Sequence, residues 1–238
     1  MVHPATSGED VVPDLTTRQY RGIKKRKLEY DNTAYRPAGS VGFFVRRVAV
    51  FIDAAYLKFV LKYRFGCAQI DYAKLSKRCA RDMELVGTYH YDCLPFVGKP
   101  SHPDDHRKRR EAERFYRHLR SIPDYHIRLG RLAFRGLRED GSRILVQKRV
   151  DVLLAMDFLD LVLTGRITDA ALVAGDSDFI PLVERAHQAG VKVGLWYGSG
   201  YGVDSSGRKR NVGAHGQLVA ACDEAVELDQ RTIDDIRF

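Results

Sequence analysis

Apolar residues gather along this chain in short unbroken runs, and longer stretches of helical periodicity separate the runs. The runs are rich in β-branched and aromatic residues and predict strands at 47–52, 84–93, 126–134, 169–175 and 191–197, with a short one near 225–228. Between them, apolar positions spaced three or four apart predict helices at 54–63, 71–81, 104–120, 150–164, 179–189 and 215–223. Strands alternating with helices of this length imply an α/β fold, with a mostly parallel sheet and helices on both faces. Residues 1–42 lack such periodicity and mix Pro, Thr, Ser, Gly and charge, so they are expected to be a flexible basic tail before a domain at 43–238. The tail contains Lys24-Lys-Arg-Lys27, which suits a nucleic-acid-binding arm, an import signal or simple solvation. The glycine- and serine-rich stretch 197–207 is either a rim of a site or a long connection.

Two helices carry unusual patterns. The helix at 150–164 is apolar on nearly every side, which predicts a buried central helix. Asp157 interrupts its core-like surface, so it must either accept backbone N–H groups or support a metal site nearby. The helix at 104–120 is anchored by Phe115 and Leu119 and otherwise covered with charge, including Arg107, Lys108, Arg109, Arg110, Arg114 and Arg117. Alone, such a helix is a solvated face; beside a cluster of carboxylates it suits a surface that follows phosphates.

The 238 residues carry a formal net charge of +8. Residues 98–150 hold 15 Lys and Arg against 7 Asp and Glu, which equals the whole excess. That concentration favours a polyanionic partner. No apolar run reaches the ~18–20 residues needed to cross a bilayer, and there is no signal-peptide pattern, so the expected location is the cytoplasm, without a membrane partner. Cys67, Cys79, Cys93 and Cys222 are scattered, and their spacing suggests neither a zinc site nor a disulfide framework.

The chemistry lies in aspartates that end apolar runs. Asp53 closes the run from Val48 to Ile52, and Asp176 and Asp178 close the run from Ala170 to Gly175. In open α/β sheets ligands bind beyond the carboxyl ends of the strands. Asp151, in the first turn of its helix, can reach the same edge. Asp178 also suits a helix N-cap, with Pro181 in the following first turn. Clustered carboxylates repel one another and a divalent cation removes that cost. An all-oxygen set favours Mg2+ or Mn2+ over Zn2+, held by Asp53, Asp151, Asp176 and Asp178 as catalytic and metal-binding residues. Ser177 lies between two of them. Lys148 and Arg149, just before Asp151, would either neutralise the cluster or touch a substrate phosphate.

The blocks Phe51-Ile-Asp53-Ala-Ala-Tyr-Leu57, Gln147-Lys-Arg-Val-Asp151 with Asp157 and Thr164-Gly165, and Leu172-Val-Ala-Gly-Asp176-Ser-Asp178-Phe179 resemble the successive blocks of NYN domains of the LabA-like group, relatives of PIN-domain ribonucleases. The resemblance spans about Arg46 to Asp229. It implies a PIN-like sheet of order 3-2-1-4-5 and a divalent-metal site for endonucleolytic RNA cleavage. The family's acidic positions fall on Asp53, Asp151, Asp176 and Asp178. RNA, single-stranded or structured, is the implied partner, together with a second copy of the chain, since such domains often pair. One departure stands out: Ala54 and Tyr56 replace the glycine and asparagine of the Ile-Asp-Gly-x-Asn pattern. Tyr56 would then stand near the metal as a donor or as a stacking surface for a base.

Two other classes compete. One is a catalytically weak or inactive RNA-binding module on the same fold. The other is a metal-dependent phosphatase, although the haloacid-dehalogenase form wants Asp-x-Asp where this chain has Asp53-Ala-Ala. There is no phosphate-binding glycine loop of the G-x-x-x-x-G-K-[ST] type and no G-x-S-x-G elbow.

Overall fold

The computed structural model describes residues 45–204 and 206–238, so the predicted tail at 1–42 lies outside the described residues. In chain order the elements are β1 (Arg47–Asp53), α1 (Ala54–Arg64), α2 (Tyr72–Ala80), β2 (Glu84–Cys93), α3 (Pro103–Arg120), β3 (Tyr125–Leu137), β4 (Arg143–Lys148), α4 (Val150–Leu163), β5 (Asp169–Val173), α5 (Ile180–Gln188), β6 (Lys192–Tyr197), β7 (Tyr201–Val203), β8 (Lys209–Asn211), α6 (Gly216–Ala221), β9 (Glu224–Glu227) and α7 (Gln230–Asp235). A single 3-10 turn, Ser177–Phe179, leads into α5.

The mixed α/β class holds. The sheet has seven strands among the described residues, in the order β4-β3-β2-β1-β5-β6-β9. Every neighbouring pair is parallel except β3 and β4. It therefore departs from the five-stranded 3-2-1-4-5 arrangement by gaining a strand at each edge. Five of the six predicted strands form its centre, the sixth, β9, extends one side, and the unforeseen antiparallel β4 extends the other.

β1 is buried along its length because both faces of the sheet are covered, which is why it reads as an unbroken apolar run. Its residues alternate between two cores. Val48, Val50 and Ile52 pack with Leu57, Leu75, Trp196 and Ile233 on the face of α1, α2 and α7. Ala49 and Phe51 pack with Leu154, Phe158, Leu172 and Leu195 on the face of α4, α5 and α6. α3 covers β2 and β3 through Tyr116 and Leu119, which are almost fully buried. Of the two expected anchors Leu119 is buried, whereas Phe115 is only partly buried against that cluster.

One expectation fails. α4 is not a buried central helix: Val152, Met156 and Leu163 are exposed at 61%, 63% and 48%. The sheet offers α4 one surface, and Leu154, Phe158 and Leu161 use it. The apolar residues on the far side face solvent.

Candidate active site

β1 lies between β2 and β5, with Ile52 opposite Val173 and Asp53 opposite Tyr91. The carboxyl ends of β1 and β5 are therefore adjacent. Asp53 is the last residue of β1 and the N-cap of α1, and its Oδ1 accepts the backbone N–H groups of Ala55 at 3.0 Å and Tyr56 at 3.2 Å. Just past β5, Gly175 carries the chain to Asp176, whose Oδ1 accepts the Asp178 N–H at 3.0 Å. The cap of this turn is thus Asp176, not Asp178. Phe179, at the N-cap of α5, gives no side-chain cap, and Asp178 lies exposed inside the turn.

Asp151 reaches this edge by a different route. β4 ends at Lys148, and Arg149 turns the chain directly into α4 through a left-handed conformation with φ 77°. Gly130 of β3 permits that turn, since a Cβ there would stand 2.5 Å from the Lys148 carbonyl oxygen and 2.7 Å from Val150 Cγ2. Asp151 then occupies the exposed first turn of α4, where a negative charge is favoured. Lys148 and Arg149 are both exposed.

Asp151 lies close enough to Asp53, Asp176 and Asp178 for charge to act between them. Burial pushes the Asp53 carboxyl up to about 6, against the two backbone donors, and the neighbouring Asp151 charge pushes the same way. Burial also raises Asp151, with Asp176 and Asp178 as its like-charged neighbours. The groups do not form a cage, however. Among the described residues no three His, Cys, Asp or Glu side chains stand close enough to hold a metal ion between them. Two of the carboxylates instead turn one oxygen each to backbone N–H groups. The donor set still fits a hard cation, because Mg2+ is commonly held by one or two carboxylates with water and substrate oxygens completing its shell.

Other expected residues lie elsewhere. Asp157 neither clamps a loop nor touches the aspartates. It accepts from Arg128 Nε at 2.8 Å and from the Tyr91 hydroxyl at 3.1 Å, tying α4 to β2 and β3. The Tyr56 hydroxyl donates to the Val212 carbonyl at 3.1 Å and accepts from the Gly198 N–H at 3.0 Å. Its side chain therefore braces the loop after β6, and burial pushes the phenol up to about 12. On α3, Arg107 bonds to Asp104 and Glu111, and Arg109 bonds to Glu113. Lys108, Arg110, Arg114 and Arg117 have no ion-pair partner among the described residues.

A cavity of about 460 Å3 opens at this edge. Asp53, Tyr56, Asp176 and Ser177 line it, together with Phe59, Asn211, Gly213 and His215. Asp151 and Asp178 do not line it. The last four were not foreseen from the sequence; only Phe59, an aromatic off the buried face of α1, gave any signal. A larger cavity of about 740 Å3 lies among α1, α2 and α3 and contains none of the candidate aspartates.

The family model described as NYN domain matches residues 47–229. Among solved structures, the chain is similar to a Vibrio parahaemolyticus protein of unknown function, with a TM-score of 0.51 and 20% identity, covering 82% of this chain and 97% of that one. That likeness concerns the fold alone. No curated protein matches. No helix among the described residues is long and apolar enough to cross a membrane.

Proposed function

Because the chain belongs to the NYN domain family, whose fold is that of PIN-like nucleases, we propose that it is a metal-dependent endoribonuclease hydrolysing RNA phosphodiester bonds. The observation that carries this reading is the adjacency of the β1 and β5 carboxyl ends, which brings Asp53 and Asp176 into the lining of one cavity. A half-buried carboxyl held up to about 6 by its setting is strained when ionised, and a cation relieves that strain.

Asp53 and Asp176 would hold Mg2+ or Mn2+ through the oxygens not given to backbone donors, with Asp151 and Asp178 supplying further negative charge. When bound, the metal lowers the pKa of a water and offsets charge on the phosphoryl group. The protein's own share is to fix the carboxylates through their caps and to offer Lys148 and Arg149 to phosphate oxygens. The unpaired cations of α3 would follow the RNA backbone further out.

A second reading has its own observations. Tyr56 spends its hydroxyl on Gly198 and Val212 rather than on the site, and among the described residues no three acidic groups converge. Both suit a module that binds RNA and turns it over weakly or not at all.

The deciding assay incubates structured and single-stranded RNA with Mg2+, Mn2+ or EDTA, comparing the wild type with Asp53→Asn and Asp176→Asn. Metal-dependent cleavage abolished by both substitutions is the expected result. RNA binding without cleavage under every condition would favour the second reading. Turnover of a phosphomonoester but not of RNA would overturn both.

A further inference from the structure

The cavity beside Asp53 and Asp176 has features that holding a cation does not require. Phe59 lines it with a ring that is 36% exposed, although Leu57, Val60 and Leu61 around it are buried in the core. The ring is held in place. Tyr63 meets it edge-on, with centroids 4.7 Å apart, and Lys62 lies 4.9 Å from the Tyr63 ring centre. The Tyr63 backbone is fixed in turn by the β7–β8 hairpin: a Cβ on Gly202 would stand 2.1 Å from the Tyr63 carbonyl oxygen. An exposed aromatic held against Tyr63, itself fixed by the hairpin, is a preorganised flat surface.

The other wall supplies hydrogen-bond donors. Asn211 Oδ1 accepts from the Gly213 N–H at 2.9 Å, which fixes the amide's orientation and leaves its NH2 for other partners. His215 caps α6, with Nδ1 accepting the Gln217 N–H at 3.4 Å. A neutral imidazole that accepts at Nδ1 carries its hydrogen on Nε2 and donates there. The cavity is thus lined by the rings of Tyr56 and Phe59, the Ser177 hydroxyl, two side chains with N–H donors and the two carboxylates. The hairpin that supplies Asn211 also carries exposed Arg208 and Lys209, while Arg210 is neutralised by Asp204 at 2.8 Å. At about 460 Å3 the cavity lies within the ~300–1,000 Å3 usual for ligand pockets.

We infer that this cavity is a nucleotide subsite that takes one unpaired base of a single-stranded RNA, stacked on Phe59 with its acceptor edge toward Asn211 and His215. The inference deepens the nuclease reading and rests on it for the identity of the polymer. It adds a selectivity: a base inside a duplex cannot leave its stack for Phe59 without losing its pairing. Arg208 and Lys209 would then meet the phosphates flanking that nucleotide.

The test measures binding of the full chain to fluorescein-labelled hexaadenylate and to a blunt RNA duplex, in EDTA so that nothing is cut. Phe59→Ala is expected to weaken hexaadenylate binding about tenfold, the usual worth of one stacked base, and to leave duplex binding unchanged. Phe59→Trp should restore the affinity. Asn211→Asp, which keeps the acceptor for Gly213 but replaces the donor with a carboxylate, should weaken single-strand binding as well. Should Phe59→Ala fail to fold, Phe59→Leu keeps the apolar bulk without a flat face, and its loss of affinity would carry the same meaning. Unchanged single-strand affinity in Phe59→Leu and Asn211→Asp, or equal losses on duplex, would overturn the subsite. Wild-type cleavage of the hexamer with Mn2+ is scored separately. Absence of cleavage with a Phe59-dependent affinity would leave the subsite standing while the nuclease reading falls; cleavage with variant affinities unchanged would do the reverse.

Discussion

The ring of Tyr56 lies directly against Gly175: a Cβ built on that glycine would stand 2.2 Å from Tyr56 Cε2. Gly175 immediately precedes Asp176, so the tyrosine that replaces the family's asparagine sets how closely α1 approaches the end of β5. Gly175→Ala should therefore cost about 1–3 kcal/mol through overpacking. Tyr56→Phe, which leaves the Gly198 N–H and the Val212 carbonyl without their shared partner, should cost about 1 kcal/mol. The steric part of the glycine effect should vanish when Tyr56→Asn is combined with Gly175→Ala, because the colliding ring is gone. Urea unfolding of Gly175→Ala, Tyr56→Asn and the double variant closes the cycle. Additive losses would show that the contact is not what constrains Gly175.

Asp53 makes the stability of the metal-free protein depend on pH in an unusual direction. Its carboxyl is raised from 3.8 to about 6 in the fold, so between those values the native state keeps a proton that the unfolded chain has released. Stability from this group is full below the lower value and falls as pH rises through the window, by about 2–3 kcal/mol. Asp53→Asn keeps an oxygen for the Ala55 and Tyr56 N–H groups but removes the charge. It should flatten this part of the profile and match or exceed wild-type stability at pH 7 without metal. Mn2+ should raise the melting temperature of the wild type at pH 7 and leave that of Asp53→Asn unchanged. Thermal melts across pH 4–8, with and without Mn2+, provide the check.

The sequence made the centre of the fold legible because β1, β5 and β6 are covered on both faces and read as continuous apolar runs. The same logic misjudged α4, since an all-round apolar pattern does not reveal that only one side has a sheet to meet; Val152 and Met156 are exposed. β4 was missed although Ile144-Leu145-Val146 is apolar, because it is a short, half-exposed edge strand; the β7–β8 hairpin was missed for the opposite reason. Val146, Gln147 and Lys148 are exposed, and β8 is Lys-Arg-Asn, held near a turn where Asp204 accepts the Ser206 and Arg208 N–H groups. No hydrophobic signal marks a strand made by polar turn chemistry. At the site, aspartates ending apolar runs were visible, but their neighbours were not. The partners of the Tyr56 hydroxyl lie 142 and 156 residues away along the chain.

Asp157 separates structural from catalytic acidity. Its contacts are Arg128 and Tyr91, on strands that α4 covers, and the Arg128 side chain remains 41% exposed. Asp157→Ala should cost about 1–2 kcal/mol, because the guanidinium can turn to water while the Tyr91 hydroxyl loses an acceptor. Mn2+ affinity, measured calorimetrically, should match that of the wild type. A tenfold loss of affinity, the size expected when support for a ligand is removed, would place Asp157 among the site's supports instead.

The basic face of α3 makes a prediction that depends on which cations are already paired. Arg110, Arg114 and Arg117 follow helical spacing on the side away from buried Tyr116 and Leu119, and none has an ion-pair partner among the described residues. Arg107 and Arg109 instead face Glu111 and Glu113 at 3.2 and 3.1 Å, so a phosphate must compete with a carboxylate for them. Replacing the three unpaired arginines with glutamine should therefore weaken RNA binding more than replacing the two paired ones. For single strands each lost phosphate contact lowers the slope of log affinity against log salt by ~0.7, so the triple variant should lose ~2 units of slope if all three engage. KCl titrations of RNA binding in EDTA measure both quantities. An unchanged slope would mean that α3 only solvates its side of the molecule and that RNA follows a different path from the carboxylate edge.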